Sequence, residues 1–291
     1  MLKKNFLKDL LALTKPNISL MALLLAIAGF LHAPSSQPIL LLPALACMIA
    51  IYLLVGGANS LNMYCEHKQD ALMLRTKNRP IPAKRLKPLW GLAVGLSLCL
   101  ISSLILLFCG NTSTCLLALL ALVLYILVYT PLKQKTWLSL FIGSIPGAMP
   151  VMLGYTAKSG VIDQKVIALF LWAFLWQIPH FLAISIFREA EYTKAGFVVA
   201  PKVFGVNASK FLVLITSWLL VISTITLYLT HIICVGSLFV CLGLGGWFLY
   251  ISHTNFFSQD YNAWAKKTFK ASLVYQSILF FLLLGESFIS Y

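Results

Sequence analysis

Residues 62–82 read NMYCEHKQDALMLRTKNRPIP and combine side chains that could bind a metal ion and an anion together. The chain has only eight acidic residues, and two of them, Glu66 and Asp70, lie here, with Asn62 four positions earlier. On a helix, this spacing of four places both carboxylates and the amide on one face. Mg²⁺ takes one or two carboxylates and completes its shell with water and substrate phosphate. The spacing therefore predicts a magnesium site.

Basic residues follow at once. Arg75, Lys77 and Arg79 could bind phosphate oxygens, the arginines in a bidentate manner. Proline at positions 80 and 82 ends the predicted helix and stiffens the loop. The stretch thus predicts a site for a phosphorylated substrate.

A second polar cluster, FREAEYTKAG, covers residues 187–196 and contains Arg188, Glu189 and Glu191. Metal ions held between two such clusters could clamp a diphosphate and neutralise the charge that develops as it leaves. Lys133, in another connection, could join them. Charges at helix ends also anchor membrane proteins at lipid headgroups, and acids beside arginine can form plain salt bridges. Both alternatives remain open.

The elements that must position these residues are membrane helices. The chain is 60% hydrophobic and 10% charged, against about 25% charged residues in soluble domains. Its apolar runs are continuous and long enough to span a bilayer as helices, which disfavours a β-barrel. We predict an all-α polytopic membrane protein, residues 1–291 forming one domain. The predicted spans are 17–33, 38–60, 88–109, 115–131, 137–157, 166–187, 211–229, 231–252 and 271–289.

The distribution of basic residues indicates the orientation. With a cytoplasmic N-terminus, all of the 22 Lys and Arg residues except Lys158 and Lys165 fall in cytoplasmic connections, as the positive-inside rule requires. These connections are 1–16, 61–87, 132–136, 188–210 and 253–270. The first is a basic amphipathic segment, and the two long ones, 61–87 and 188–210, carry acids together with Arg and Lys. Membrane lipids and an anionic substrate account for the net charge of +14 without a nucleic acid.

Several motifs resemble one protein family. The pattern N-x-x-x-E-x-x-x-D-x-x-M-x-R-T-x-x-R-P, from Asn62 to Pro80, resembles the first aspartate-rich motif of the UbiA superfamily of membrane prenyltransferases. Its Met73, Arg75-Thr76 and Arg79-Pro80 tail is similar to the branch that farnesylates protoheme IX, the heme O synthases. Further similar stretches are LTKPNISL (13–20), YTPLKQKTWLSLFIGSIPGAMPVMLGY (129–155), WQIPHFLAISIFREAEYTKAGFVVAPKVFG (176–205) and AKKTFKASLVY (265–275).

Three positions depart from the family pattern. Glu66 and Glu191 stand where the family usually has Asp, which keeps the type of ligand and lengthens its arm by one methylene. Lys68 stands where a further Asp is usual and places a cation beside the proposed metal. That lysine could contact the diphosphate, or it could make the chain slow, inactive or selective for another substrate.

The resemblance implies nine helices around a lateral cavity. The basic N-terminal segment does not look like a transit peptide, which suggests a bacterial cytoplasmic membrane. The resemblance also implies that farnesyl diphosphate and heme B are the substrates, heme O the product and Mg²⁺ (or Mn²⁺) the cofactor. Partners would be membrane lipids and a protein that hands over heme or receives heme O, such as heme A synthase or a terminal oxidase assembly factor. The implied metal ligands are Asn62, Glu66, Asp70 and Glu191, and the implied cations are Arg75, Arg79, Lys133 and Arg188.

His180 lies within a predicted span, where an ionisable group indicates function. It matches the family's Pro-His-Phe and could ligate heme iron, or it could hydrogen-bond to a neighbouring helix. Aromatic residues could shelter an allylic cation or simply pack in the core; the candidates are Tyr64, Tyr129, Trp172, Trp176 and Phe181.

Two other functions fit the pattern less well. A related prenyltransferase acting on a quinone precursor, another tetrapyrrole or a lipid would share both acidic clusters, but Arg75-Thr76 and Pro179-His180-Phe181 favour heme. A transporter would place ionisable groups near the bilayer midplane. Here most acids lie at one face, with Glu286 as an exception.

Overall fold

The computed structural model describes residues 2–34, 40–254 and 256–289. Its helices are α1 (Leu2–Leu13), α2 (Pro16–His32), α3 (Leu41–Asp70), α4 (Pro88–Cys109), α5 (Thr112–Leu122), a π-helix (Val123–Tyr129), α6 (Thr130–Leu132), α7 (Ser139–Ser159), α8 (Gln164–Phe187), α9 (Glu189–Lys194), α10 (Ala200–Leu229), α11 (Val235–His253) and α12 (Tyr261–Ile289).

Within the described residues, eight spans are long and apolar enough to cross a membrane, counting α5, the π-helix and α6 as one. Helix α2 becomes the ninth when it is taken with α1, to which it is joined by a 45° bend. The prediction of an all-α membrane protein with about nine spans is confirmed. Positions 38 and 39, at the start of the second predicted span, lie outside the described residues.

The predicted connections were too long in three places. Helix α3 continues through residues 61–70, α9 and the start of α10 occupy most of 188–210, and α12 already begins at Tyr261. The stretch at 265–275 is therefore helical as well. Hydropathy marks the residues that lie in lipid, whereas helical hydrogen bonds continue beyond the bilayer.

Two glycines allow α2 and α7 to pack with their backbones in contact. A Cβ added at Gly154 would lie 1.8 Å from the carbonyl oxygen of Ala26, and one at Gly29 would lie 2.0 Å from that of Val151. Small residues permit such close approach between membrane helices. This contact fixes one wall of the cavity described below.

The π-helix ends at Tyr129, two residues before Pro131. Thr130 donates its backbone N–H to the carbonyl of Tyr125, five residues earlier, and its hydroxyl donates to the same oxygen at 2.8 Å. A proline ring clashes with the carbonyl four residues before it, and the widened turn relieves that conflict. Wide turns of this kind are frequent at functional sites.

Candidate active site

A cavity of about 470 Å³ opens between the helices and has one polar end. Its apolar wall comes from α2, α3, α5, α7 and α8. Six charged side chains among the described residues line it, namely Lys15, Glu66, Asp70, Arg75, Arg79 and Lys133. A long apolar ligand with a charged head matches this division.

Asn62, Glu66 and Asp70 all line the polar end from the last turns of α3. Their exposed fractions are 3%, 4% and 2%. Because α3 continues to Asp70, the spacing of four does place the three side chains on one face. That face is turned into the cavity rather than towards solvent.

Both carboxylates are paired with cations from other segments. Asp70 Oδ2 lies 2.6 Å from Arg79 Nη1, and Glu66 Oε1 lies 2.5 Å from Lys133 Nζ. The buried hydroxyl of Thr76 donates to the carbonyl of Asp70 at 2.8 Å, which folds the loop after α3 back over the helix end. This fold brings Arg79 to the cavity.

Asn62 is held on both sides of its amide. Its Oδ1 accepts a hydrogen bond from Lys15 Nζ at 3.2 Å, and its Nδ2 donates to Thr130 Oγ1 at 3.2 Å. Lys15 occupies the α1–α2 junction in the left-handed region, with φ 48°. The amide thus joins α3 to that junction and to the end of the π-helix.

Burial and neighbouring charges shift the pKa values of the two lysines in opposite directions. Burial, reinforced by the charge of Arg79, lowers the pKa of Lys15 to about 7. Burial also acts to lower the pKa of Lys133, but Tyr129 and Glu66 outweigh it and raise that pKa above its ordinary value. Lys133 is therefore a firmly charged partner of Glu66.

The oxygen ligands of α3 fit a hard divalent cation. Glu66 Oε1 is buried and makes no hydrogen bond of normal geometry, although it lies close to the Lys133 ammonium. It therefore keeps capacity for another ligand. In the described part of the chain, no three His, Cys, Asp or Glu side chains form a metal-binding group. A metal here would need the amide of Asn62, water and substrate oxygens besides Glu66 and Asp70.

Aromatic rings flank the polar end. Tyr125 and Tyr129 of the π-helix stack with their centroids 5.6 Å apart and both line the cavity. Lys133 Nζ lies 4.8 Å from the centroid of Tyr129 and 5.1 Å from that of Phe197. Gly143 makes room for Tyr129, since a Cβ there would lie 2.4 Å from the ring. These rings present their faces to a positive charge.

The second acidic cluster is placed differently. Arg188 Nη1 and Glu191 Oε1 pair with each other at 2.7 Å, with exposed fractions of 30% and 23%. Neither is among the described residues that line the cavity. Tyr192 and Phe197 do line it and pack near Met73, so the two segments meet through apolar contacts. The expectation that Glu191 and Arg188 face the first cluster is not met in this geometry, and their roles stay predictions.

His180 is not on the described cavity wall either. Its Nδ1 lies 2.8 Å from the hydroxyl of Ser272 on α12, and its ring stacks on Trp176 and contacts Phe181 and Phe269. The structure therefore contains the hydrogen bond to a neighbouring helix that was the alternative to heme ligation. Of the other predicted aromatic residues, Tyr129, Trp176 and Phe181 line the cavity, whereas Tyr64 and Trp172 are not among the described lining residues.

Sequence reasoning missed several polar residues that line the described cavity, among them Lys15, Asn59 and Gln276. Asn59 had a usable signal, since it lies three residues before Asn62 and so on the same face of α3. Lys15 lies in the LTKPNISL stretch, but nothing local indicates that it reaches Asn62. Gln276 had no local signal.

Comparison with known proteins gives a consistent result. The model of the UbiA prenyltransferase family matches residues 22–274. A protoheme IX farnesyltransferase of Myxococcus xanthus is 38% identical over 272 residues, covering 94% of this chain and 92% of the relative. One of Sorangium cellulosum is 43% identical over 233 residues, covering 80% and 83%.

Solved structures share the fold at low identity. A digeranylgeranylglyceryl phosphate synthase has a TM-score of 0.80 at 18% identity, covering 97% of this chain and 98% of its own. A UbiA homolog from Archaeoglobus fulgidus bound to GPP and Mg²⁺ has a TM-score of 0.70 at 15% identity, covering 94% and 99%.

Proposed function

This chain belongs to the UbiA prenyltransferase family, and from that premise we propose that it transfers the farnesyl group of farnesyl diphosphate to the 2-vinyl group of protoheme IX. The product is heme O, and diphosphate is released. Relatives that are 38% and 43% identical are protoheme IX farnesyltransferases. The family that the motifs resemble is thus the family to which the chain belongs.

One observation carries the proposal. An apolar cavity ends in two carboxylates and an amide of one helix, each beside a cation from another segment. An isoprenoid chain suits the apolar wall, and a diphosphate with its metal suits the polar end. The diphosphate head is what a metal site of this kind needs to complete its ligand shell.

The residues of the polar end hold and neutralise the leaving group. Asn62, Glu66 and Asp70 would hold Mg²⁺, which neutralises diphosphate charge when bound. Arg75, Arg79 and Lys133 donate to phosphate oxygens and stabilise the charge that grows on them as the bond breaks. Glu191 and Arg188 would join after their mutual ion pair opens.

The reaction proceeds through an allylic cation. The bond between farnesyl C1 and the diphosphate oxygen breaks, and the electron pair leaves with the diphosphate. The terminal vinyl carbon of the heme bonds to C1, water adds to the other vinyl carbon, and a proton is lost to solvent. Tyr125 and Tyr129 present their ring faces beside the cation and help to exclude water before transfer.

The protein spans the membrane several times. We place its N-terminus and the polar end of the cavity on the cytoplasmic side, because that orientation collects nearly all Lys and Arg residues there. At that face a membrane partner would hand over heme or receive heme O. The candidate partners are heme A synthase and a terminal oxidase assembly factor.

The direct test is heme O formation in membranes supplied with heme B and farnesyl diphosphate, with Mg²⁺ present or chelated. We expect heme O by chromatography only with Mg²⁺, and a loss of at least about 100-fold for Asp70→Asn. The matched control is Glu189→Gln, since Glu189 belongs to the second cluster and is not among the described cavity residues. Full activity of a folded Asp70→Asn protein would refute the metal role.

A further inference from the structure

We infer that this site accepts divalent metal and prenyl diphosphate only as one complex, and that each ion alone binds poorly. The inference rests on the proposed function and adds to it the species that enters. It also gives Lys15, which lies outside the acidic motif, a role in binding the diphosphate.

The observation behind it is that every candidate metal ligand of α3 already has a cationic partner. Lys15 donates to Asn62 at 3.2 Å, Lys133 lies 2.5 Å from Glu66, and Arg79 lies 2.6 Å from Asp70. The three cations come from three different segments: the α1–α2 junction, the connection after α6 and the loop after α3. All six side chains line the same cavity.

Free metal meets an unfavourable site for two reasons. Among the charged residues that line the described cavity, Arg75, Arg79 and Lys133 outnumber Glu66 and Asp70, so its net charge is positive even before protonated Lys15 adds to it. A divalent cation would also compete with ammonium and guanidinium groups for the oxygens it would bind. Those groups would then be buried beside the metal without an anion, which is costly.

Free diphosphate meets the opposite difficulty. It attracts Lys15, Lys133 and Arg79, but each of them must leave its present partner. Glu66 and Asp70 are 4% and 2% exposed, and would then face the diphosphate as unpaired buried carboxylates.

A metal–diphosphate complex resolves both difficulties through an exchange of partners. The oxygens of Asn62, Glu66 and Asp70 turn to the metal, and the cations that held them turn to phosphate oxygens. Every charged group ends with a partner of opposite charge. Linkage then requires metal and diphosphate to strengthen each other's binding by the same factor.

The experiment measures binding, without turnover. Mn²⁺ is titrated into the full chain in lipid nanodiscs, with the free ion followed by electron paramagnetic resonance. The titration is run with and without farnesyl S-thiolodiphosphate, an analogue whose bridging sulfur slows ionisation. Empty nanodiscs with the analogue correct for the complex formed in solution.

We expect the analogue to strengthen Mn²⁺ binding by at least about tenfold, and Mn²⁺ to strengthen binding of the analogue by the same factor. Mn²⁺ affinity that changes less than about twofold would overturn the inference.

Lys15→Met tests the exchange at one pair. Because it frees Asn62 and removes a cation, it should strengthen binding of Mn²⁺ alone, weaken binding of the analogue and reduce the coupling factor. Lys15→Arg, which keeps the charge, should restore most of the coupling. Lys87→Met is the control, since Lys87 is exposed at the start of α4 and is not among the described cavity residues. Unchanged coupling in a folded Lys15→Met protein would also contradict the inference.

The two proposals fail in different ways. If the analogue with Mn²⁺ does not bind at all, the proposed function fails. If both bind independently and heme O is still formed, only the partner exchange is wrong.

Discussion

Segments 62–79 and 187–196 each combine carboxylates with arginine near the end of a long apolar helix, yet the structure uses them differently. In the first, α3 continues to Asp70 and turns its acids into the cavity. In the second, α8 ends at Phe187, and the short α9 carries Glu191 into a partly exposed pair with Arg188. Similar composition therefore gives a buried ligand face in one segment and an outer ion pair in the other.

The difference lies in where the helix ends. A helix that continues keeps residues four apart on one face and extends the wall of the cavity. A helix that stops at Phe187 leaves the next residues free to turn. Among the described residues of the second segment, only Tyr192 lines the cavity, and together with Phe197, which follows the segment, it lies near Met73 of the first.

The sharpest test of this contrast is a pair of isosteric changes. Glu66→Gln should lower kcat/KM for farnesyl diphosphate by about 100-fold, because it removes a buried negative ligand beside Lys133. Glu191→Gln should cost about tenfold, since Glu191 must first leave a partly exposed ion pair with Arg188. Steady-state formation of heme O measures both.

Equal losses would break the contrast, because they would mean that α9 turns Glu191 into the cavity during turnover. Circular dichroism and thermal unfolding of each variant serve as the folding control.

Substitutions of Lys133 and Lys135, which lie in the same connection, are expected to have a smaller effect on activity. Lys133→Met should raise the KM for farnesyl diphosphate by about tenfold, because it removes a partly buried cation and leaves Glu66 unpaired. Lys135 is exposed and is not among the described cavity residues, so Lys135→Met should change the KM less than twofold, or about 0.4 kcal/mol. Similar values for the two variants would argue that long-range charge, and not the contact with Glu66, attracts the substrate.

The smallest expected effect comes from removing one threonine hydroxyl in each of the two segments. Thr76→Val removes the buried hydrogen bond to Asp70 and should cost about 1 kcal/mol of stability and a few-fold in kcat/KM. Thr193→Val alters an exposed hydroxyl of the second cluster and should be neutral in both. Thermal unfolding measures the stability of the two variants, and heme O assays measure their kcat/KM. Equal stability would show that the fold of the first loop does not depend on Thr76.

Much of the fold was readable from the sequence. Apolar runs gave the all-α membrane architecture and the approximate number of spans, because transfer to lipid depends on the local average of hydropathy. The ends of α3, α10 and α12 were misjudged, since helices extend past the apolar run into the polar connections. The π-helix had one partial signal in Pro131, but a proline does not specify which turn widens.

The candidate site was likewise only partly predictable from the sequence. The shared face of Asn62, Glu66 and Asp70 followed from spacing, and all three line the cavity. The positions of Glu191 and His180 did not follow. The motif resemblance named the residue types, but the direction of each side chain depends on how its helix ends or packs.

The sequence by itself determined the membrane helices and the oxygen ligands that stand one turn apart on α3, because hydropathy and helical periodicity act over a few residues. Only the tertiary structure decided that Lys15, Arg79 and Lys133 would meet those ligands. Asn62 and Lys15 lie 47 residues apart, and their contact exists because α1, α2 and α3 pack together. Ion pairs between distant segments depend on the whole arrangement of helices, which no local pattern records.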